Sequence, residues 1–375
     1  MATRALHPTA QNPTSNAYFY IQYSRLHWPN QKTTDATKMK QHFHYILIIL
    51  FTALNTAAQS QSARKLPINE QTYVNLNGEQ QYVEMTGTSP DNPVLLFLHG
   101  GPGWPQTPYL RYFNADLTST VTLVSWDQAG CGKSALLNPS PKYLTLERLI
   151  KDAHELTRVL INRFHKNKIY LAGFSWGSII GLELVNQYPE DYIAYFGISQ
   201  VIDMNRSIDL SCEWLKQQAT LAGDKAMLAR VAQLEQKDPA LCKNPMECFL
   251  KKYEMLAHYG GAIYSPEAEA RIKIAESQFD DYKNYNWMKA FTFSWSSLGD
   301  AIFETNLSRI TKLEVPAYFF VGRHDHTLPP QVTEEFVNKL KAPQKELIWF
   351  ENSGHEPLEE EPAVFNKAIA DRIER

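Results

Sequence analysis

Gly173-Phe174-Ser175-Trp176-Gly177 follows a β-like run, Lys168-Ile169-Tyr170-Leu171-Ala172, and precedes a helix-like one with Ile179, Ile180, Leu182, Leu184 and Val185. A Gly-x-Ser-x-Gly set at a strand-to-helix turn holds its serine in a strained backbone and thrusts the hydroxyl outward. The flanking glycines let strand and helix approach closely, and the helix dipole then favours negative charge at its N-terminus. A serine hydroxyl is a poor nucleophile until a base takes its proton, and the tetrahedral intermediate it forms needs donors for its oxyanion. Both needs have candidates elsewhere in the chain.

Asp325 follows an apolar run, Pro316–Val321, and His355 follows another, Glu346–Phe350. The 29 residues between them hold one predicted helix, over Pro330–Leu340, and one strand, which returns the chain to the same edge of a sheet. Ser175, Asp325 and His355 therefore all fall beyond strand carboxyl ends, where open α/β sheets place their sites. The roles expected are Ser175 as nucleophile, His355 as general base and then acid, and Asp325 as the carboxylate that orients and charge-stabilises the imidazole. Donors come from His99-Gly100-Gly101-Pro102-Gly103, a Gly-rich loop after the buried-type strand Pro93–Leu98. With no side chains in the way, its backbone N–H groups can face a ligand. Gly101 N–H and Trp176 N–H are the expected oxyanion donors.

The rest of the chain fits around these loops. Gln71–Thr86 reads as a hairpin turning at Asn77-Gly78, a dipeptide suited to the positive φ of a tight turn. Val121–Trp126 and Ile193–Ile198 are further strands. Leu146–Phe164 is a helix with Leu149, Ile150, Ala153, Leu156, Leu160 and Ile161 along one face, and Pro362–Ile373 is the last helix. Such alternation predicts an α/β fold: a mostly parallel sheet with helices on both faces. Alternation stops over residues 202–309, which are helix-like and rich in Leu, Lys, Glu and aromatics. That stretch is expected to be a helical cap inserted between core segments 59–201 and 310–375. Its aromatics Phe279, Tyr282, Tyr285, Trp287, Phe291, Phe293 and Trp295 either pack the cap or line an apolar pocket over Ser175.

His99–Gly103, Asp127-Gln128-Ala129-Gly130-Cys131-Gly132-Lys133-Ser134, Gly173–Ser178, Gly322-Arg323-His324-Asp325 and Ser353-Gly354-His355 together resemble the motif set of the proline iminopeptidase branch of the α/β-hydrolases. The likeness runs from about residue 94 to the C-terminus. The order nucleophile, acid, base is also that of α/β-hydrolases, whereas chymotrypsin-like and subtilisin-like enzymes use other orders. The resemblance implies the α/β-hydrolase fold and release of an N-terminal residue, often proline, from peptides through an acyl-enzyme, with no cofactor and no metal. Ala129 stands where the family usually has arginine, and Phe174 where it often has glycine. Such aminopeptidases hold the substrate's ammonium with acidic cap residues, for which Glu213, Glu254, Glu267 and Glu276 are candidates. The same catalytic residues without an ammonium anchor make a carboxylesterase on small or medium acyl esters. A non-catalytic binding protein on this scaffold is opposed by the complete catalytic set, and an aspartate-nucleophile dehalogenase or epoxide hydrolase by the serine at the turn.

The 375 residues are 44% hydrophobic, enough for a sizeable core. Net charge is −3, but residues 1–58 carry five Lys/Arg against one acid, so the remainder has 32 basic and 39 acidic side chains, net −7. That balance argues against a nucleic-acid partner; the partner that the resemblance implies is a small peptide or ester substrate. Met39-Lys40, the apolar run Tyr45–Leu54 and the small residues to Ala58 have the layout of a secretory signal peptide over residues 39–58, cleaved after Ala58. Ten apolar residues are about half of the ~20 needed to cross a bilayer, so no stable membrane anchor is expected after cleavage. The mature chain is expected to be exported, periplasmic or secreted. Residues 1–38, polar and without period, are expected to be a non-native or disordered extension, with translation starting at Met39.

In an oxidising compartment Cys212, Cys242 and Cys248 can supply one disulfide, Cys242 and Cys248 being near enough to close a small loop. Gly132-Lys133-Ser134 fails as a phosphate-binding loop, because the first glycine of that motif falls on Asp127 and Pro139 and Pro141 interrupt the following helix. Cys131 reads as a small buried residue or a thiol near the site. His324 and His326 flank Asp325 without further ligands, which does not make a metal site.

Overall fold

The computed structural model describes residues 67–137 and 140–373; the expected extension (1–38) and signal peptide (39–58) lie outside the described residues. Eight strands form one sheet: β1 (Ile68–Leu76), β2 (Glu79–Gly87), β3 (Val94–Leu98), β4 (Thr122–Trp126), β5 (Ile169–Phe174), β6 (Tyr192–Ile198), β7 (Ala317–Gly322) and β8 (Lys345–Phe350). Their spatial order is β1-β2-β4-β3-β5-β6-β7-β8. β1–β2 and β2–β4 pair antiparallel, and every later pair is parallel. The first hairpin turns at Asn77 (φ 51°) and Gly78 (φ 97°), two positive-φ residues as a tight hairpin turn demands.

The continuous apolar runs become strands buried on both faces because helices cover both. In β3, Val94, Leu96 and Leu98 pack into one cluster with Leu149, Ala153, Leu156, Ile179 and Ile180 from the helices Leu146–Arg163 and Trp176–Gln187. Leu95 and Phe97 point the other way, into a cluster with Phe365 and Ile369 of the helix Pro362–Ile373. That division is the period-2 alternation of a strand. Thr145 caps the Leu146–Arg163 helix, its side chain accepting from the Arg148 N–H at 3.2 Å.

Between β6 and β7 the described chain forms helices and no strand: Met204–Ala222, Lys225–Glu235, Pro245–His258, Pro266–Glu276 and Trp287–Phe303. This insertion has its own core, in which Cys212, Leu215, Met227, Val231, Met255 and Leu256 are buried. A disulfide joins Cys242 to Cys248, and Cys212 and Cys131 remain buried thiols. No helix among the described residues is long and apolar enough to cross a membrane.

Candidate active site

Ser175 sits between β5 and the helix Trp176–Gln187 with φ 48° and ψ −116°, a conformation that costs a non-glycine residue on the order of 1–3 kcal/mol. The turn is as sharp as it is because Gly177 lies against β3: a Cβ there would fall 2.3 Å from the Leu98 carbonyl oxygen. Ser175 N–H donates to the Ile198 carbonyl at 2.9 Å, which pins the turn to β6.

His355 Nε2 lies 3.0 Å from Ser175 Oγ, and His355 Nδ1 lies 2.9 Å from Asp325 Oδ2. The other carboxylate oxygen, Asp325 Oδ1, accepts the N–H groups of Thr327 and Leu328 at 2.8 and 2.9 Å. Both Asp325 and His355 are buried. Burial alone lowers the His355 pKa, but the charge and hydrogen bond of Asp325 more than reverse this and hold it above its ordinary value. The histidine loop is tied to the helical insertion, since His355 N–H donates to the Ala262 carbonyl at 2.7 Å and His326 N–H to that of Gly261 at 2.9 Å. The structure thus brings together the three residues that the sequence places at separate strand ends, in the geometry of a hydroxyl, a base and an orienting carboxylate.

Gly101 and Trp176 line the same cavity as Ser175. Gly101 has φ +107°, and a Cβ there would fall 2.8 Å from the Trp104 nitrogen, so the loop is shaped for glycine. Gln128 joins the two segments: its side chain donates to the His99 carbonyl at 3.3 Å and accepts the Trp176 indole N–H at 3.0 Å. His99 Nε2 accepts the Gln128 N–H, and burial lowers the ring's pKa to about 4, so it is neutral. Asp127, buried and raised to about 6 by that burial, accepts from Thr107, Lys133 N–H and Tyr282. The Asp127–Ser134 motif therefore braces the loops around Ser175 and ties them to the insertion.

The two departures from the family pattern have places. Ala129 is in the core. Phe174 packs on the His355 ring, centroids 5.4 Å apart, and against Gly100. Cys131 is fully buried, and burial pushes its thiol well up. His324 stacks on Tyr264 and His326 on Trp214. Among the cap aromatics both expected fates occur: Phe279, Tyr282 and Tyr285 pack with Tyr109, whereas Trp295 lines the Ser175 cavity.

Of the four cap glutamates, Glu213 and Glu267 are exposed, and Glu254 pairs with Arg230 and Lys251. Glu276 accepts from Tyr109 Oη at 2.6 Å, and Tyr109 in turn accepts from the Trp104 indole at 3.2 Å. Two further carboxylates stand close by. Glu359 accepts from Gln106, is 2% exposed, and touches Glu356, the residue after His355. Burial raises Glu276 and Glu356, and burial followed by the charge of Glu356 pushes Glu359 higher still. The charge of Lys273, one helical turn away, offsets part of the rise at Glu276. Pro357 starts a four-residue helix that turns Glu359 and Glu360 inward. Glu360 is a structural brace, taking the N–H groups of Gly354 and Tyr264 at 2.8 Å each.

Residues 93–362 match the family model described as alpha/beta hydrolase fold. The chain belongs to that family. It is 29% identical over 301 residues to a probable aminopeptidase of Bacillus subtilis, covering 79% of this chain and 94% of the relative. It is 26% identical over 267 residues to a proline iminopeptidase of Neisseria meningitidis serogroup A, covering 67% and 80%. Among solved structures, a proline iminopeptidase from Mycobacterium smegmatis superposes with a TM-score of 0.61 at 17% identity, over 81% of this chain and 98% of that one. At that identity the structural likeness speaks for the fold alone.

Proposed function

We propose that this α/β-hydrolase is a serine aminopeptidase of proline iminopeptidase type, with Ser175, His355 and Asp325 as its catalytic residues and Gly101 and Trp176 N–H as oxyanion donors. Ser175 Oγ attacks the carbonyl of the N-terminal residue while His355 Nε2 takes its proton, and Asp325 stabilises the imidazolium. The tetrahedral oxyanion meets the two backbone donors, and His355 passes its proton to the leaving nitrogen as the C–N bond breaks. Water, deprotonated by the same imidazole, then attacks the acyl-enzyme and frees the N-terminal residue and Ser175.

The observation that carries the peptidase reading is the group Glu276, Glu356 and Glu359. Glu359 is buried, Glu276 and Glu356 are half-buried beside it, and desolvation raises all three, so the group is costly to hold charged as it stands, next to the catalytic base. A substrate ammonium would offset that charge, and Glu356, which follows His355 in the chain, also acts on the imidazole's charge. Names of the relatives agree with this reading. A second reading, a carboxylesterase, is favoured by the apolar side of the Ser175 cavity, where Ile179, Val201, Met204, Phe249, Ile302 and Leu328 can receive an acyl chain.

One panel separates them: prolyl anilide, other aminoacyl anilides and short acyl esters, each with the wild-type protein and Ser175→Ala. Release of an N-terminal residue, lost in Ser175→Ala by about 10⁶ in kcat, is expected. Ester turnover with no aminoacyl release would replace the peptidase with the esterase. The mature chain is further proposed to be exported, a reading supported by the Cys242–Cys248 disulfide because such bonds persist in oxidising compartments. Terminal peptide mapping of the native protein tests it; peptides from upstream of Ala58 in the mature form would count against it.

A further inference from the structure

Lys252 takes no part in the steps above. It lies on the helix Pro245–His258, yet is only 4% exposed, and its Nζ donates to a single acceptor, the Thr327 carbonyl at 3.1 Å. Among the described residues no carboxylate lies within ion-pairing distance of it. An ammonium carries three donors, so this buried cation is under-satisfied. Two neighbours share its condition: Thr327 Oγ1 and Trp295 Nε1 are buried with no hydrogen-bond partner. Buried polar groups are ordinarily paired, and each exception asks for an explanation.

All three residues line one cavity, and it is the cavity that Ser175, Gly101 and Trp176 also line. None of Glu276, Glu356 and Glu359 lines it. A cation, an indole N–H and a hydroxyl can all donate, which suits an anion with two acceptor oxygens. Burial lowers Lys252 to about 8, which leaves it mostly charged at neutral pH. Asp325 acts on Lys252 from beyond ion-pairing distance, and an arriving carboxylate would supply a directly paired counter-charge.

We propose that Lys252, Trp295 and Thr327 form a carboxylate subsite beside Ser175, which selects short zwitterionic peptides, dipeptides above all, by their free C-terminus. This rests on the aminopeptidase reading. In a dipeptide the carboxylate carbon is three bonds from the scissile carbonyl carbon, at most about 4 Å away, and Ser175 and Lys252 line one cavity. Each further residue moves the carboxylate out of reach.

The test uses two substrate pairs, prolyl-alanine against prolyl-alaninamide and O-acetyl-lactate against O-acetyl-lactamide, with wild type, Lys252→Met and Thr327→Val. Wild type is expected to favour prolyl-alanine over its amide by roughly 10- to 100-fold in kcat/KM, the worth of a hydrogen-bonded charge. In Lys252→Met the ratio collapses towards one, and in Thr327→Val it falls part of the way. A folding defect, or a lysine that merely braces the Thr327 loop, lowers both members of a pair together and leaves the ratio unchanged. An unchanged ratio in Lys252→Met, or a wild type that takes the amide as well as the acid, overturns the subsite. If only the ester pair is hydrolysed, the aminopeptidase reading and dipeptide selection fall, and the ester ratio decides the carboxylate subsite on its own. If neither pair is hydrolysed, both readings fall.

Discussion

Replacing Asp325 by asparagine keeps the side chain's size and exchanges one oxygen for an NH₂. Which oxygen is exchanged is decided by the surroundings. Oδ1 accepts the Thr327 and Leu328 N–H groups, so an NH₂ placed there would face two donors; the amide oxygen keeps that position. The NH₂ then takes the place of Oδ2, 2.9 Å from His355 Nδ1, and can only donate. Nδ1 must become an acceptor, which moves the ring proton to Nε2, the atom 3.0 Å from Ser175 Oγ. A protonated Nε2 cannot take the serine's proton. The same tautomer error in a Ser-His-Asp triad costs about 10⁴ in kcat, or about 5.5 kcal/mol of transition-state stabilisation. The charge that offsets burial at His355 is also lost, so the base's pKa drops from above to below its ordinary value. Residual kcat/KM should therefore keep its plateau to lower pH than in wild type. Steady-state rates across pH 4–9 with the best substrate of the panel, with a thermal melt to show that the variant is folded, measure both effects. A folded Asp325→Asn with less than a tenfold loss and an unmoved acid limb would refute the reasoning.

Glu359→Gln should lower kcat/KM for aminoacyl substrates by roughly 30-fold or more, as loss of a buried hydrogen-bonded charge partner does, while acyl esters lacking an amine keep their rates; equal losses on both would remove the ammonium role. The same variant has a pH signature. The folded-state pKa of Glu359 is raised, so its contribution to stability is complete below the ordinary carboxylate range and is lost as pH rises through the folded value. Glu359→Gln is accordingly expected to melt higher than wild type at pH 8 and level with it near pH 4; the opposite trend would contradict the cluster's burial. Cys242 and Cys248 are six positions apart, and closing a loop of that size stabilises by about 2 kcal/mol in the chain-entropy model. The double alanine variant, or the reduced protein, should show that loss in urea denaturation with catalysis retained when folded; no shift in midpoint would show that the bond contributes nothing.

Most of the sheet was legible because its signals are local. Pro93–Leu98 and Pro316–Val321 are apolar runs of the length and type expected of a strand covered on both faces, and they form the strands Val94–Leu98 and Ala317–Gly322; Asn77-Gly78 announces its own turn. Ser175, Asp325 and His355 were legible through their positions after such strands. The glutamates were not. Glu356 and Glu359 belong to a run of acids whose surroundings include Gln106, Tyr109 and Glu276, distant in sequence and joined only by the fold. Lys252 was hidden for the same reason: on one helix it is another amphipathic lysine, and only the packing of the insertion over Thr327 removes it from water. Of Glu213, Glu254, Glu267 and Glu276, only Glu276 stands beside Glu356 and Glu359, which the sequence could not show, since a helical sequence shows which face a carboxylate occupies but not what that face meets.

The assignment of Ser175 as nucleophile is tested most directly by covalent labelling. A fluorophosphonate, followed by intact-mass and peptide analysis, should add one phosphonyl group to the wild-type chain, on Ser175, and none to Ser175→Ala, with much slower labelling in His355→Ala. An adduct on another residue, or one that persists in Ser175→Ala, would contradict it.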